Sequence, residues 1–192
     1  MMTLYHGSNI KEIKELKPNL ADHDRPYVYL TTIDVVAAFY LCNAVERPYY
    51  WFPYGFDGGV PVYNELYPNA LREVSDGVSG CIYTVHVSES ELIPFANIPC
   101  ARLATASVSV SESLLVGNAY TLFMEYERLG KMKIGRFEDK SAKELEMFYK
   151  MIIGVMREKE MQNIPDCSYA RFVREKLPSV WERFLDEAGY CR

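Results

Sequence analysis

The sequence predicts an α+β fold, a mostly antiparallel sheet followed by a helical C-terminal extension. Two observations carry this expectation. Stretches rich in β-branched and aromatic residues alternate with turn residues through the first 138 of 192 positions, as short strands do. From Ser141 onward, apolar residues recur at helical spacing behind a serine capping pattern, as packed helices require. A chain of 192 residues is long enough for one core and too short for two full domains. The expected division is residues 1–138 around the sheet, with an insertion at 43–79, and residues 139–192 as helices packed on the same core.

Taken in order, Thr3 to His6 reads as a strand ending at Gly7-Ser8, and Ile10, Ile13 and Leu16 suggest a brief helical or turn-like piece. Tyr27 to Thr31 has strand propensity, and Thr32 stands where an N-cap would open a helix through Leu41, with Asp34 in its first turn. Regular pattern then fails from Asn43 to Ser79. That region holds Tyr49, Tyr50, Trp51, Phe52, Tyr54 and Phe56, a turn at Asp57-Gly58-Gly59, and a possible helical turn between Pro61 and Leu71. So many aromatics argue against disorder, and the insertion is expected to pack beside the N-terminal elements.

Gly80 to Val87 alternates as a strand. Ala101 to Leu115 is further strand material broken near Ser107, and Ala119 to Leu129 forms a helix stopped by Gly130, with Tyr120, Phe123 and Met124 inward. Lys131 to Phe137 is the last strand. The C-terminal helices start at Ser141, with Glu144 three residues on, at Ser168, and at Ser179, with Glu182 three residues on.

Composition narrows the function. A net charge of -5 with scattered Lys and Arg argues against binding nucleic acid through phosphate neutralisation. The five cysteines, Cys42, Cys81, Cys100, Cys167 and Cys191, form no C-x-x-C pair and match no zinc spacing, so no metal is expected. With no apolar stretch long enough for a bilayer and no apolar leader, the expectation is a cytoplasmic protein with reduced thiols and no membrane partner. No Gly-x-Gly-x-x-Gly, P-loop or Gly-x-Ser-x-Gly pattern is present.

One constellation suggests chemistry. Tyr29 and Tyr40 are eleven residues apart across a strand-to-helix turn, a spacing suited to enclosing a flat heterocycle. Gly7, without a Cβ, lets a ligand approach a backbone whose N–H and C=O could pair with a carboxamide. His6 and Ser8 add polar side chains, and a ribose hydroxyl suits the imidazole. The competing plain readings are a strand-end histidine and core aromatics. His86 reads as structural, His23 as exposed, and Glu125 and Glu127 as solvated.

Leu4-Tyr5-His6-Gly7-Ser8, and Val28-Tyr29-Leu30-Thr31-Thr32 followed by Ala37, Ala38 and Tyr40, resemble the first two motifs of the His-Tyr-Glu branch of ADP-ribosyltransferases, the branch of the poly-ADP-ribose polymerases and diphtheria toxin. The resemblance covers about the first 40 residues in detail. It implies a split sheet of the ADP-ribosyltransferase type and NAD as substrate. His6 would hold the adenosine-side ribose, Gly7 the nicotinamide amide, and Tyr29 and Tyr40 the ring, with Ser8 and Thr31 beside them. Tyr27 stands where the family has glycine, and Ala37 where it has a small hydroxyl residue.

The family's third motif, a glutamate that stabilises the oxocarbenium-like transition state, falls near Cys100-Ala101-Arg102-Leu103, which holds no acid. Glu65 and Glu112 are the candidates, and no motif chooses between them. The implied function is a NAD-dependent ADP-ribosyltransferase of a bacterial toxin or phage-defence kind. The alternative is an inactive relative that binds NAD, an ADP-ribosyl group or a protein through the same cleft. An RNA 2′-phosphotransferase-like enzyme would want a basic cleft, which the composition does not advertise.

Overall fold

The computed structural model describes residues 1–20, 25–42, 55–95 and 98–189. In chain order the elements are β1 (Met2–Ser8), β2 (Glu15–Leu16), β3 (Val28–Thr31), α1 (Asp34–Phe39), β4 (Phe56–Asp57), β5 (Val60–Asn64), α2 (Ala70–Ser75), β6 (Gly80–Val87), β7 (Ile93–Pro94), β8 (Ala101–Ala104), β9 (Val108–Ser109), β10 (Glu112–Val116), α3 (Ala119–Arg128), β11 (Lys133–Gly135), α4 (Ala142–Glu158), α5 (Ser168–Lys176) and α6 (Pro178–Glu187). The arrangement is α+β. Six strands form the main sheet in the order β10-β6-β1-β3-β8-β7, and every pairing within it is antiparallel.

Side-chain alternation explains how the sheet is covered. Leu4, Val28, Leu30, Val85 and Ala104 form one apolar cluster, which Leu16 of β2 and Val108 of β9 help to cover. The larger cluster gathers Val35 and Phe39 of α1, Tyr63 of β5, Phe123 of α3, Ile152 and Met156 of α4, Val173 of α5 and Phe184 of α6. The C-terminal helices thus share a core with α1.

Several sequence expectations hold in detail. The strands at 80–87 and 101–116 fall as expected, with the break between β8 and β9. Ser141 and Glu144 cap α4 reciprocally, and Gly130 ends α3 at φ 69. Gly58 and Gly59, at φ 59 and 86, make the turn between β4 and β5. Tyr63 stacks on Phe39 at 5.9 Å and 18°, so this part of the insertion does pack beside the N-terminal elements. Tyr49 to Tyr54 lie outside the described residues, and Phe56 is exposed.

Other expectations are corrected. Ile10 to Leu16 is a loop ending in β2, because Glu12 adopts a left-handed φ of 62 that no helix continues through. Residues 55–79 are regular: β5 pairs with β4 and, in parallel, with β11, and α2 follows. The pairing with β11 was hidden because that partner lies far along the chain. Thr32 does not cap α1. Its N–H goes to the Cys100 carbonyl at 2.9 Å, and Thr31 Oγ1 instead accepts the Ile33 N–H at 3.2 Å. At α6, Pro178 occupies the first turn and Leu177 precedes it, so Ser179 lies inside the helix and is no cap. Proline suits that place because its missing N–H is one the helix leaves unsatisfied anyway.

Candidate functional site

The main sheet opens between β1 and β3, whose register is the single pair Tyr5 and Thr31. Antiparallel strands direct the backbone groups of alternate residues to opposite neighbours. The Thr32–Cys100 bond turns Thr32, Leu30 and Val28 toward β8, and therefore Thr31 and Tyr29 toward β1. On β6, the Ser111 N–H reaches the Thr84 carbonyl, so Thr84 faces β10 and Tyr83 faces β1. His6, opposite Tyr83, then spends its backbone groups on β6, and Gly7 directs its N–H and C=O toward β3, where the ladder has stopped.

His6 bridges the opening with its side chain. Its Nδ1 lies 2.9 Å from the Tyr29 carbonyl, an oxygen that can only accept. Nδ1 therefore carries the proton. Burial, the larger effect, lowers the His6 pKa against the raising effect of that hydrogen bond, which favours the neutral ring. A neutral ring protonated at Nδ1 leaves Nε2 as a hydrogen-bond acceptor.

Gly7 is required by packing. A Cβ there would lie 1.8 Å from the Ala37 carbonyl oxygen, so α1 seats directly on β1 at this residue. The missing Cβ makes room for the helix, not for the ligand expected from the sequence. The side of Gly7 that a Cβ would occupy belongs to α1, and only its backbone edge faces the opening.

Tyr40 follows α1 in a single 3-10 turn, Tyr40–Cys42. The residue is 43% exposed, yet its phenol is pushed up to about 12, first by burial of the hydroxyl and then by the nearby Cys100 and Tyr29. Tyr29 and Cys100 thus lie near enough to the Tyr40 phenol to act on it electrostatically. Tyr29 also meets Tyr27 edge to face, at 6.4 Å and 78°. Cys100 was not singled out because it precedes a strand, and only the Thr32–Cys100 bond places it at the end of β3.

The remaining candidates serve elsewhere. Ser8 Oγ accepts the Ile10 N–H at 3.1 Å, and Thr31 is buried in its turn. Glu65 is 4% exposed. Its Oε1 accepts the Leu71 N–H at 3.0 Å and its Oε2 the Phe137 N–H at 3.3 Å, so this carboxylate ties the start of α2 to the segment after β11. Glu112 is exposed on β10 opposite Thr84. With β6 and β1 between, it stands about 14 Å from β3 at ordinary strand spacing. On β8, Arg102 donates to the Pro99 and Ala101 carbonyls, both at 2.7 Å. His86 pairs with Thr3 at 3.3 Å on the exposed side of the sheet. Glu125 is ion-paired with Arg128 and Glu127 with Arg136.

Among the described residues no cluster of three or more His, Cys, Asp or Glu side chains is placed to hold a metal, and no helix is long and apolar enough to cross a membrane. No family model, curated protein or solved structure matches the chain.

Proposed function

We propose that this chain binds NAD at the β1–β3 opening and belongs functionally with the ADP-ribosyltransferases. The observation that carries the reading is the His6 Nδ1 hydrogen bond to the Tyr29 carbonyl. It leaves Nε2 accepting, beside the unladdered backbone edge of Gly7 and the strand that carries Tyr29. In this reading Nε2 accepts from a ribose hydroxyl, the Gly7 N–H and C=O pair with the carboxamide, and the two phenol rings flank the pyridinium. Each ring contact contributes about 0.5–1.5 kcal/mol beyond simple burial.

Transfer would break the bond between the ribosyl C1 and the pyridinium nitrogen. The electron pair leaves with nicotinamide, and an acceptor nucleophile attacks C1 and gives up its proton to solvent or a base. Alignment of the acceptor supplies much of such a rate, and a carboxylate near C1 supplies more. The two carboxylates proposed for that role do not suit it. Both Glu65 oxygens are held by backbone N–H groups, and Glu112 stands across two strands from β3. That pair of observations favours the second reading, a NAD- or ADP-ribose-binding protein without turnover.

Incubation with NAD separates the two readings. Nicotinamide release that both His6→Ala and Tyr29→Ala abolish supports the transferase. Thermal stabilisation without release supports the binder, at about 2.7 kcal/mol when NAD is one hundred times its Kd. No response to NAD by either measure refutes both.

A further inference from the structure

Helix α4 presents two unlike sides. Ile152, Ile153 and Met156 bury the inner one in the core. On the outer side, at 3.6 residues per turn, Lys143, Met147, Lys150, Met151, Gly154 and Glu158 fall within about 100° of arc, and all six are exposed. Met147 keeps 53% of its surface in solvent and Met151 keeps 46%.

Three residues of that outer face are ill suited to a helix standing alone. Gly154 lies in the helix interior, where glycine is less stable than alanine, yet a Cβ there would meet nothing within 4 Å. Lys143 stands in the first turn and Glu158 is the last residue, each at the end where the helix dipole disfavours its charge. Among the described residues the ion pairs of α4 use Glu146, Lys150 and Arg157, which leaves Lys143 and Glu158 to solvent.

A second copy of the helix, running antiparallel, suits all three. A two-fold axis passing between Lys150 and Met151 sets Met147 over the second copy's Gly154, where the missing Cβ leaves room for the thioether. The same axis sets Lys143 beside the second copy's Glu158, and lays the Lys150 stem along the second copy's Met151. Each contact then occurs twice, as the symmetry requires. Antiparallel alignment also brings Lys143 to the carbonyl end of the other helix and Glu158 to its N–H end, the ends that favour these charges.

We propose that the protein forms a two-fold dimer through α4, with Met147 seated at Gly154 and Lys143 paired with Glu158 across the axis. A helix face about 25 Å long makes an interface at the low end of the specific range, so the expected dissociation constant is micromolar. The proposal is independent of the NAD reading.

Sedimentation equilibrium of the full chain over a concentration series tests it, with four variants. Gly154→Gln fills the notch and improves helix propensity. It is expected to weaken the dimer about tenfold, while its monomer melts no lower than the parent monomer. Lys143→Glu and Glu158→Lys each set like charges across the axis and are expected to weaken the dimer about threefold. Combining Lys143→Glu with Glu158→Lys restores opposite charges, and is expected to recover the parent affinity to within about twofold. A parent that stays monomeric at millimolar concentration overturns the proposal, as does a dimer whose affinity none of the variants changes. Charge variants that weaken a dimer which their combination does not restore also overturn it, since the two residues then do not face each other.

Discussion

Gly7 and Ala37 meet so closely that a Cβ on the glycine would fall 1.8 Å from the Ala37 carbonyl oxygen. Helix α1 is thereby seated on β1 beside His6, and Tyr40, the first residue after α1, lies near enough to Tyr29 to feel it electrostatically. Packing and site geometry are one arrangement here. Gly7→Ala is expected to cost about 2–4 kcal/mol, because backbone atoms on both sides must separate. Urea unfolding reads this directly. A variant as stable as the parent would mean that α1 does not sit on Gly7.

His6 makes stability depend on pH. Its pKa is ordinarily near 6.5 and is lowered in the fold by burial. Below 6.5 the unfolded chain therefore binds a proton that the native ring resists, and stability falls as pH drops through the window from 6.5 to the lowered value. Above that window the contribution is fully present. His6→Gln is expected to flatten this part of the profile of unfolding free energy against pH. An unchanged slope between parent and variant would contradict the assignment of a buried neutral ring.

Glu65 is expected to act on stability and not on turnover. Removing its side chain orphans the Leu71 and Phe137 N–H groups, at a cost of about 2–4 kcal/mol for Glu65→Ala. Glu65→Gln keeps one good acceptor and is expected to cost less than Glu65→Ala. Thermal melts of the two variants check the order. If Glu65→Gln melts like the parent yet abolishes nicotinamide release, the carboxylate is catalytic after all.

Phe39 joins the insertion to the core. Its ring, 2% exposed, stacks on Tyr63 at 5.9 Å and on Phe123 at 4.9 Å. Phe39→Ala is expected to cost about 3–5 kcal/mol. Hydrogen exchange should show β5 losing protection together with α3. Loss confined to α3 would mean that β5 is held independently.

What the sequence disclosed follows from how far apart the determining residues lie. Ser141 and Glu144, or the alternation of Ile82, Tyr83, Val85 and Val87, are local signals, and those elements fall where their residues indicate. The pairing of β5 with β11 joins residues about seventy apart, and α2 starts where Glu65, just past β5, reaches it. No short-range pattern carries that information. The strand-to-helix order that carries Tyr29 and Tyr40 was legible because one turn and one helix set it. The place of Cys100 at the end of β3, and the bonds of Tyr83 to Ile10 and Ile13, were not, since each depends on contacts between separate segments. Gly7 was noticed for its missing Cβ, but the neighbour that requires the absence is visible only once α1 is packed.

The most direct test is a crystal soaked with nicotinamide. The account predicts the ring between Tyr29 and Tyr40 and its carboxamide paired with the Gly7 N–H and C=O, with the His6–Tyr29 hydrogen bond intact. Nicotinamide bound elsewhere, or an empty β1–β3 opening at saturating concentration, would contradict it.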